Sequence, residues 1–345
     1  MALVSSILEK FNFISSSLNN FFRDKLEIKG FPKMKNDRWK YTKTIDIFSS
    51  NQERESFDLK ANLPISKLGS YDFRYLDDSF AFLSLSLVKD IDFIKMKDEK
   101  LILGNSLLKG AYFKALVIEV EGRCNIIEKF TSTEETMFFP LTYIILKRGS
   151  SLSYTKLQEH SGSVVDNTLL TLEEGSRLEM VTFSRGSRVL RNNLKVLQKT
   201  NSESTINGIY SVDKGHLDNF LRVEHLDRSR SKQKYKGIVE KGRVSFAGSI
   251  FIDRSAPGTE SHQLNKTILL DDEGEMNSKP ELEILNDDVK CSHGATIGSI
   301  NEEQLFYLMS RGVTRNEAKL MLINGFLNDL LDKNNREEVL ACFKR

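Results

Sequence analysis

The spacing of apolar residues changes twice along the chain and divides it into three regions, 1–80, 81–300 and 301–345. In the first, Leu3, Ile7, Phe11, Ile14, Leu18 and Phe21 recur every three or four residues. That is the period of one helix face, so the spacing predicts a single amino-terminal helix. Gly30-Phe31-Pro32 breaks the pattern ahead of Trp39 and Tyr41, and the polar stretch 51–56 reads as a loop.

In the second region the period falls to two. Leu116, Ile118 and Val120 alternate with polar residues, and so do Ile206, Gly208, Tyr210 and Val212, and Val244, Phe246, Gly248, Ile250 and Ile252. These are strands, because successive side chains of a strand point to opposite faces. Gly149, Gly175 and Gly242 each stand at a turn that launches a strand, where glycine would supply a positive φ. Between Pro140 and Pro257 there is no proline and no helical stripe. A β-sandwich and a β-solenoid both fit such a run of strands and turns. The related turns are unevenly spaced, 26 residues apart from Gly149 to Gly175, so the pattern alone fixes no repeat.

The third region returns to helical spacing. Asn301 is placed to cap a helix with Gln304 at its third position, and Gly312 to end it. Thr314 and Glu317 have the spacing of a capping box for a second helix, running from Arg315 to about Leu331. Its apolar residues form two stripes: Ala318, Met321, Leu322 and Phe326, and then Leu320, Ile323, Leu327 and Leu331. So wide an apolar arc needs two surfaces to bury against, which a bundle within the chain or a docked partner would supply.

Composition narrows the function classes. A chain of 345 residues can bury about 75% of its unfolded surface without staples. Lys plus Arg number 50 and Asp plus Glu 48, a net charge of +2 that gives no field for binding nucleic acid. The basic stretch 222–236 is interrupted by acidic residues and reads as a solvated face. Cys124, Cys291 and Cys342 have no disulfide or zinc spacing, which suits a reducing cytoplasm. No apolar run approaches the ~18 residues of a membrane span, and the serine-rich start lacks the apolar block of a signal peptide. P-loop, dinucleotide-binding, GxSxG and HExxH motifs are absent.

His160, His216, His225 and His262 stand alone in strand or turn sequence and read as structural. Cys291 and His293 differ, because residues two apart on a strand share a face. The segment 282–293 reads as extended, which would set thiol and imidazole side by side. Both suit iron, zinc or copper, yet two ligands do not close a four-coordinate site. Packing, a metal half-site and a Cys-His nucleophile all stay open on the residues alone; the last lacks an orienting group, since Asp288 would point to the opposite face. Rival functions are a polysaccharide-acting solenoid enzyme, disfavoured because Asp287 and Asp288 would face apart, and a stand-alone metal protein using Cys291 and His293.

Four motifs carry a family resemblance: HLDRSRSKQKYKG (225–237), HQLNKTILLDDEGEMNSKPELEI (262–284), DDVKCSHGAT (287–296) and EEQLFYLMSRG (302–312). In this order they resemble the SufD branch of the SufB/SufD family, subunits of the SUF iron-sulfur cluster assembly machinery. GFPKMKNDRWKYT (30–42) is similar to the family's tryptophan-containing entry segment, and 50–220 agrees in general character. The SufB branch carries an acidic motif where this chain has CSHGAT. The resemblance implies a mainly β fold, a right-handed parallel β-helix flanked by helical segments, and a non-enzymatic scaffold. It implies a SufB-like partner along the core and a SufC-like ABC-type ATPase at the carboxyl-terminal helices, through Leu320, Leu322, Ile323, Phe326 and Leu327. It further implies a transient cluster at the SufB interface touching His293 and, second to it, Cys291, with no cofactor held stably by the isolated chain. Self-association is the expectation when SufB is absent.

Overall fold

The computed structural model describes residues 2–11, 16–33, 39–50, 52–186 and 188–331. In chain order the elements are α1 (Ala2–Lys10), α2 (Ser17–Lys29), α3 (Thr44–Ile47), β1 (Ser66–Leu68), α4 (Ser79–Leu87), β2 (Ile91–Lys97), β3 (Lys100–Leu107), β4 (Gly110–Glu121), β5 (Arg123–Leu146), β6 (Ser151–Leu172), β7 (Arg177–Arg185), β8 (Val189–Gln198), β9 (Glu203–Val212), β10 (His216–His225), β11 (Arg230–Val239), β12 (Arg243–Ile252), β13 (Thr259–Leu269), β14 (Glu275–Ile284), β15 (Val289–Ser299), α5 (Glu302–Ser310) and α6 (Arg315–Leu327). A short 3-10 turn, Asn328–Leu330, follows α6.

Apart from the antiparallel β1–β2 contact, the named strands pair in parallel, which resolves the sandwich-or-solenoid ambiguity. The chain winds as a β-solenoid of about eight coils. One face is the ladder β7–β9–β11–β13–β15, continued backward by the first half of β6, the first half of β5 and β3. The other is β8–β10–β12–β14, continued by the second halves of β6 and β5, then β4 and β2. Arg123 lies against Ser151, Ser151 against Arg177, Arg177 against Glu203, Glu203 against Arg230, Arg230 against Glu260 and Glu260 against Lys290. Coil length therefore drifts, which is why turn spacing alone did not reveal the repeat.

Gly149 and Gly175 adopt φ of 69° and 67°, as their turns require. Their N–H groups donate to the carbonyls of Glu174 and Thr200, one coil on, and Asn201, at φ 54°, takes the same place with Arg228. Gly242 is a correction: it does not lie in the left-handed region. Glycine is needed there because a Cβ would stand 2.2 Å from Val212 Cγ1.

Two cores follow from the alternation. Inward residues such as Leu116, Ile126, Leu152, Leu190, Ile206 and Val223 fill the lumen. Outward residues of β4, β5, β6 and β8 pack instead under the amino-terminal unit, on Phe11, Phe22, Trp39 and Phe80. The Arg191 guanidinium lies 3.9 Å from the Trp39 ring centroid and pairs with Asp218, to which Thr42 also donates (2.6 Å). These contacts fasten the 39–42 segment to the solenoid.

The amino-terminal prediction needs correcting. Two helices stand where one was expected, because Ser16 accepts from the Asn19 N–H and caps a new helix. The buried stripe is Val4, Ile7, Leu8, Phe11, Leu18, Phe22 and Leu26, whereas Leu3 and Phe21 are exposed; Ile14 lies outside the described residues. Ser79–Leu87 falls largely inside the region read as strands, yet it is a helix. Asp78 caps it through the N–H groups of Phe80 and Ala81, and all nine residues are buried.

The two ends of the lumen differ. At the start, Phe57, Leu59, Ala61, Leu63 and Ile65 pack against the lumen core and cover it. At the other end β14 and β15 have no further strand beyond them among the described residues.

Candidate functional site

The last coil is built from β14, the turn 285–288 and β15. The segment 282–293 is thus not continuously extended: Asn286 Oδ1 accepts the Asp288 N–H (2.9 Å) and closes a turn that holds Asp287 and Asp288. Cys291 and His293 do fall on one strand, two residues apart. Cys291 packs inward on the Ile250, Ile252 and Ala256 cluster, where burial pushes its thiol pKa up against a backbone contact from Ser261. A thiol so held is a protonated packing group in the isolated chain. His293, on the same face but toward the open edge, is exposed. Among the described residues no three His, Cys, Asp or Glu side chains gather into a metal-holding group.

Beneath the edge the lumen is polar on one face. Ser231, Gln233 and Tyr235 of β11 lie in register with Ser261, Gln263 and Asn265 of β13, and these with Cys291, His293 and Ala295 of β15. The Tyr235 ring lies over Gly208 and the Tyr210 ring over Gly237, where added Cβ atoms would stand 2.1 and 1.7 Å from ring carbons. Tyr210 Oη contacts Thr267 Oγ1 (2.6 Å) and donates to Asn265 Oδ1 (3.0 Å). The two rings fill the lumen here, in one core with Val239, Val244 and Phe246.

The middle coils hold a second polar cluster, which sequence reading missed. Lys114, Glu128, Lys156 and Asp166 are all buried. Lys114 donates to Glu128 (3.2 Å) and Thr142 (3.2 Å); Lys156 pairs with Asp166 (2.6 Å) and donates to Thr168; Gln158 donates to Asp166, and Tyr154 to Glu128. Burial alone would raise the Glu128 pKa, but the Lys114 and Lys156 ammoniums and the Tyr154 hydroxyl outweigh it and hold it at about 2. A set this well paired fixes packing; it leaves no group free for a ligand.

The four histidines read as structural each meet a hydroxyl, while the buried Nε2 of His160 has no partner among the described residues. His225 is buried between Ser229 Oγ (2.7 Å) and Ser231 Oγ (3.0 Å), and burial lowers its pKa to about 4. His160 lies near Ser132, its pKa lowered to about 3 by burial and by Lys156. His216 meets Thr42, and His262 meets Ser292.

The carboxyl-terminal helices form with the expected caps: Asn301 accepts from the Gln304 N–H, and Thr314 and Glu317 make a capping box. The second helix ends at Leu327 and tightens into the 3-10 turn. Ile323 and Leu327 are buried on the outer face of the solenoid with Leu157, Phe183, Ile209 and Ile238, and Phe326 packs beside them. Leu322 packs toward Ile300, Leu305 and Ala318. Of the five residues named for docking, Leu320 alone is exposed (48%), together with Phe306 (73%), Tyr307 and Met321. The wide apolar arc is thus covered on two sides within the chain and open on a third.

Fold and site define a class: a parallel β-solenoid with one covered end, one open polar-lined end bearing a histidine, and an apolar helical pair on its flank. The chain belongs to the SufBD family. A family model described as "SUF system FeS cluster assembly, SufBD core domain" matches residues 105–326. The chain is 32% identical over 253 residues to the iron-sulfur cluster assembly protein SufD of Escherichia coli (strain K12), covering 70% of this chain and 60% of that one. It is 31% identical over 235 residues to the chloroplastic protein ABCI7 of Arabidopsis thaliana (65% and 49%), and 28% identical over 233 residues to the iron-sulfur cluster assembly protein SufB of Bacillus subtilis (65% and 50%). It spans about half the length of the curated relatives it matches.

Proposed function

We propose that the chain is a non-catalytic scaffold subunit of a cytoplasmic SufB-SufC-SufD type complex, contributing His293 to an iron-sulfur assembly site that a SufB-like partner completes. The observation that carries this reading is the position of His293: an exposed imidazole on the last, unpaired strand of the solenoid, with no second and third ligand gathered around it among the described residues. An edge strand presents unused N–H and C=O groups, so a partner that adds strands there brings its own side chains beside His293. Iron and sulfide are the cargo of this site. Cys291, two residues earlier on the same strand, serves packing first.

The exposed face of Phe306, Tyr307, Leu320 and Met321 is the proposed docking surface for a SufC-like ATPase, in place of the buried Ile323 and Leu327. Movement there has a route to the lumen. Lys236 of β11 is bound to the Phe326 carbonyl and to Asp329, and Lys234 donates to Asp329 (3.0 Å). Displacing α6 would therefore pull on the strand two rungs from His293.

The test is co-expression with SufB-like and SufC-like subunits and purification through this chain. A stable complex with an iron-sulfur chromophore, lost in His293→Ala while the subunits stay together, is expected. Failure to retain either partner, or an unchanged chromophore in His293→Ala, would overturn the reading.

A further inference from the structure

Two glutamine side chains lie under the open end, and both have unused polar atoms. Gln233 and Gln263 are 2% and 3% exposed. Gln233 spends its N–H on Ser231 (2.6 Å), and its Oε1 has no partner among the described residues. Gln263 has none at either Oε1 or Nε2. Burying an amide without partners is costly, and such groups are rare in folded chains. Parallel in-register glutamines can bond along their ladder, yet this pair does not. The Gln263 amide instead lies across the lumen on the bare Cα of Gly248, where an added Cβ would stand 2.3 Å from Oε1. On its open side the next residue in register is His293, one strand spacing of about 4.8 Å away and on the same face.

We propose that Gln263 is a positioning residue for His293: its carboxamide oxygen accepts an imidazole N–H and thereby turns the other ring nitrogen outward, toward the metal and the partner. The bond needs the amide to turn from Gly248 toward the exposed His293, and the bare glycine at 248 leaves it room to move. Histidines that ligate metals commonly donate their second N–H to a carbonyl or carboxylate, which fixes the tautomer and the ring plane. The proposal rests on the reading of His293 as half of a shared site. It goes further by naming the residue that orients it.

Packing and positioning make opposite predictions for two substitutions. Gln263→Met keeps the shape and removes the unpaired amide, while Gln263→Glu keeps an acceptor oxygen. If Gln263 positions His293, the Met chain alone melts at or above the wild-type temperature, whereas the co-purified complex loses iron and sulfide about tenfold. The Glu variant then retains loading within about twofold. Nitrogen-15 spectra of the imidazoles should show one His293 tautomer in wild type and Glu and a mixture in Met. Full loading in the Met variant, loss confined to the Glu variant, or a Met variant too unstable to purify would each overturn the proposal. His293→Ala separates the two claims: loss there with an unaffected Met variant removes only the role of Gln263. An unaffected His293→Ala removes the shared-site reading itself.

Discussion

The charged cluster in the middle of the lumen and the glutamines at its end handle buried polarity in opposite ways. In the middle coils Lys114, Glu128, Lys156 and Asp166 are buried as completely as the leucines around them, and each charge meets an opposite charge and a hydroxyl, amide or ring. At the last coils Gln233 and Gln263 are buried just as deeply with atoms unused, and His293 is exposed on an unpaired strand. A solenoid needs caps to stay soluble and single. This one covers its first end with 57–65 and has the two glutamines and an unpaired strand at the other, among the described residues. Stability resides in the paired cluster, and the proposed function lies at the unpaired strand.

That contrast breaks most visibly at Lys156. Lys156→Met leaves two buried carboxylates short of a cation, and unfolding by denaturant should show a loss of about 3–5 kcal/mol. Acid tests both zones together. The folded pKa values of His160 and His225 are lowered, to about 3 and about 4, so the native state keeps both rings neutral. Their contribution is fully present above the unfolded value near 6.5 and is lost as pH falls through that window, on the order of 3 kcal/mol per histidine. Glu128 adds a further loss between its unfolded value and about 2. Denaturant unfolding followed down the pH scale should therefore show stability falling from about pH 6.5, the His225 share ending near pH 4 and the His160 share near pH 3. Next in size, Gly237→Ala forces the Tyr210 ring to move, at a cost of about 1–3 kcal/mol in the same unfolding assay. Smallest in stability is Leu320→Asp on the exposed face of α6, expected within about 0.5 kcal/mol of wild type. The same variant should lose the proposed SufC-like partner on co-purification; if it keeps that partner, the docking surface lies elsewhere.

Local rules made much of this legible. Helix caps at Asn301 and Thr314 could be placed because side chain and amide lie within one turn of each other. Strands with apolar inner faces, such as Val244–Ile252 by alternation, announced themselves through period two. Covering of the first lumen end was equally visible in principle, since Phe57, Leu59, Ala61, Leu63 and Ile65 alternate. The polar lumen was not. In β13 the inward residues Ser261, Gln263, Asn265 and Thr267 are all polar, while the outward set includes Leu264 and Ile268, so alternation points the wrong way round. Nor could spacing pair Lys114 with Glu128 or Lys156 with Asp166, because those contacts depend on coil lengths that vary. As for Cys291 and His293, sequence placed them on one strand face, and only the fold shows one covered and the other exposed.

The most direct test measures iron and stability together in His293→Ala. The exposed end predicts unfolding within about 0.5 kcal/mol of wild type for the isolated chain, and iron and sulfide lost from the co-purified complex with its subunits still bound. A complex that keeps its iron, or an isolated chain destabilised by several kcal/mol, would contradict the claim that the open end of this solenoid is half of a shared site.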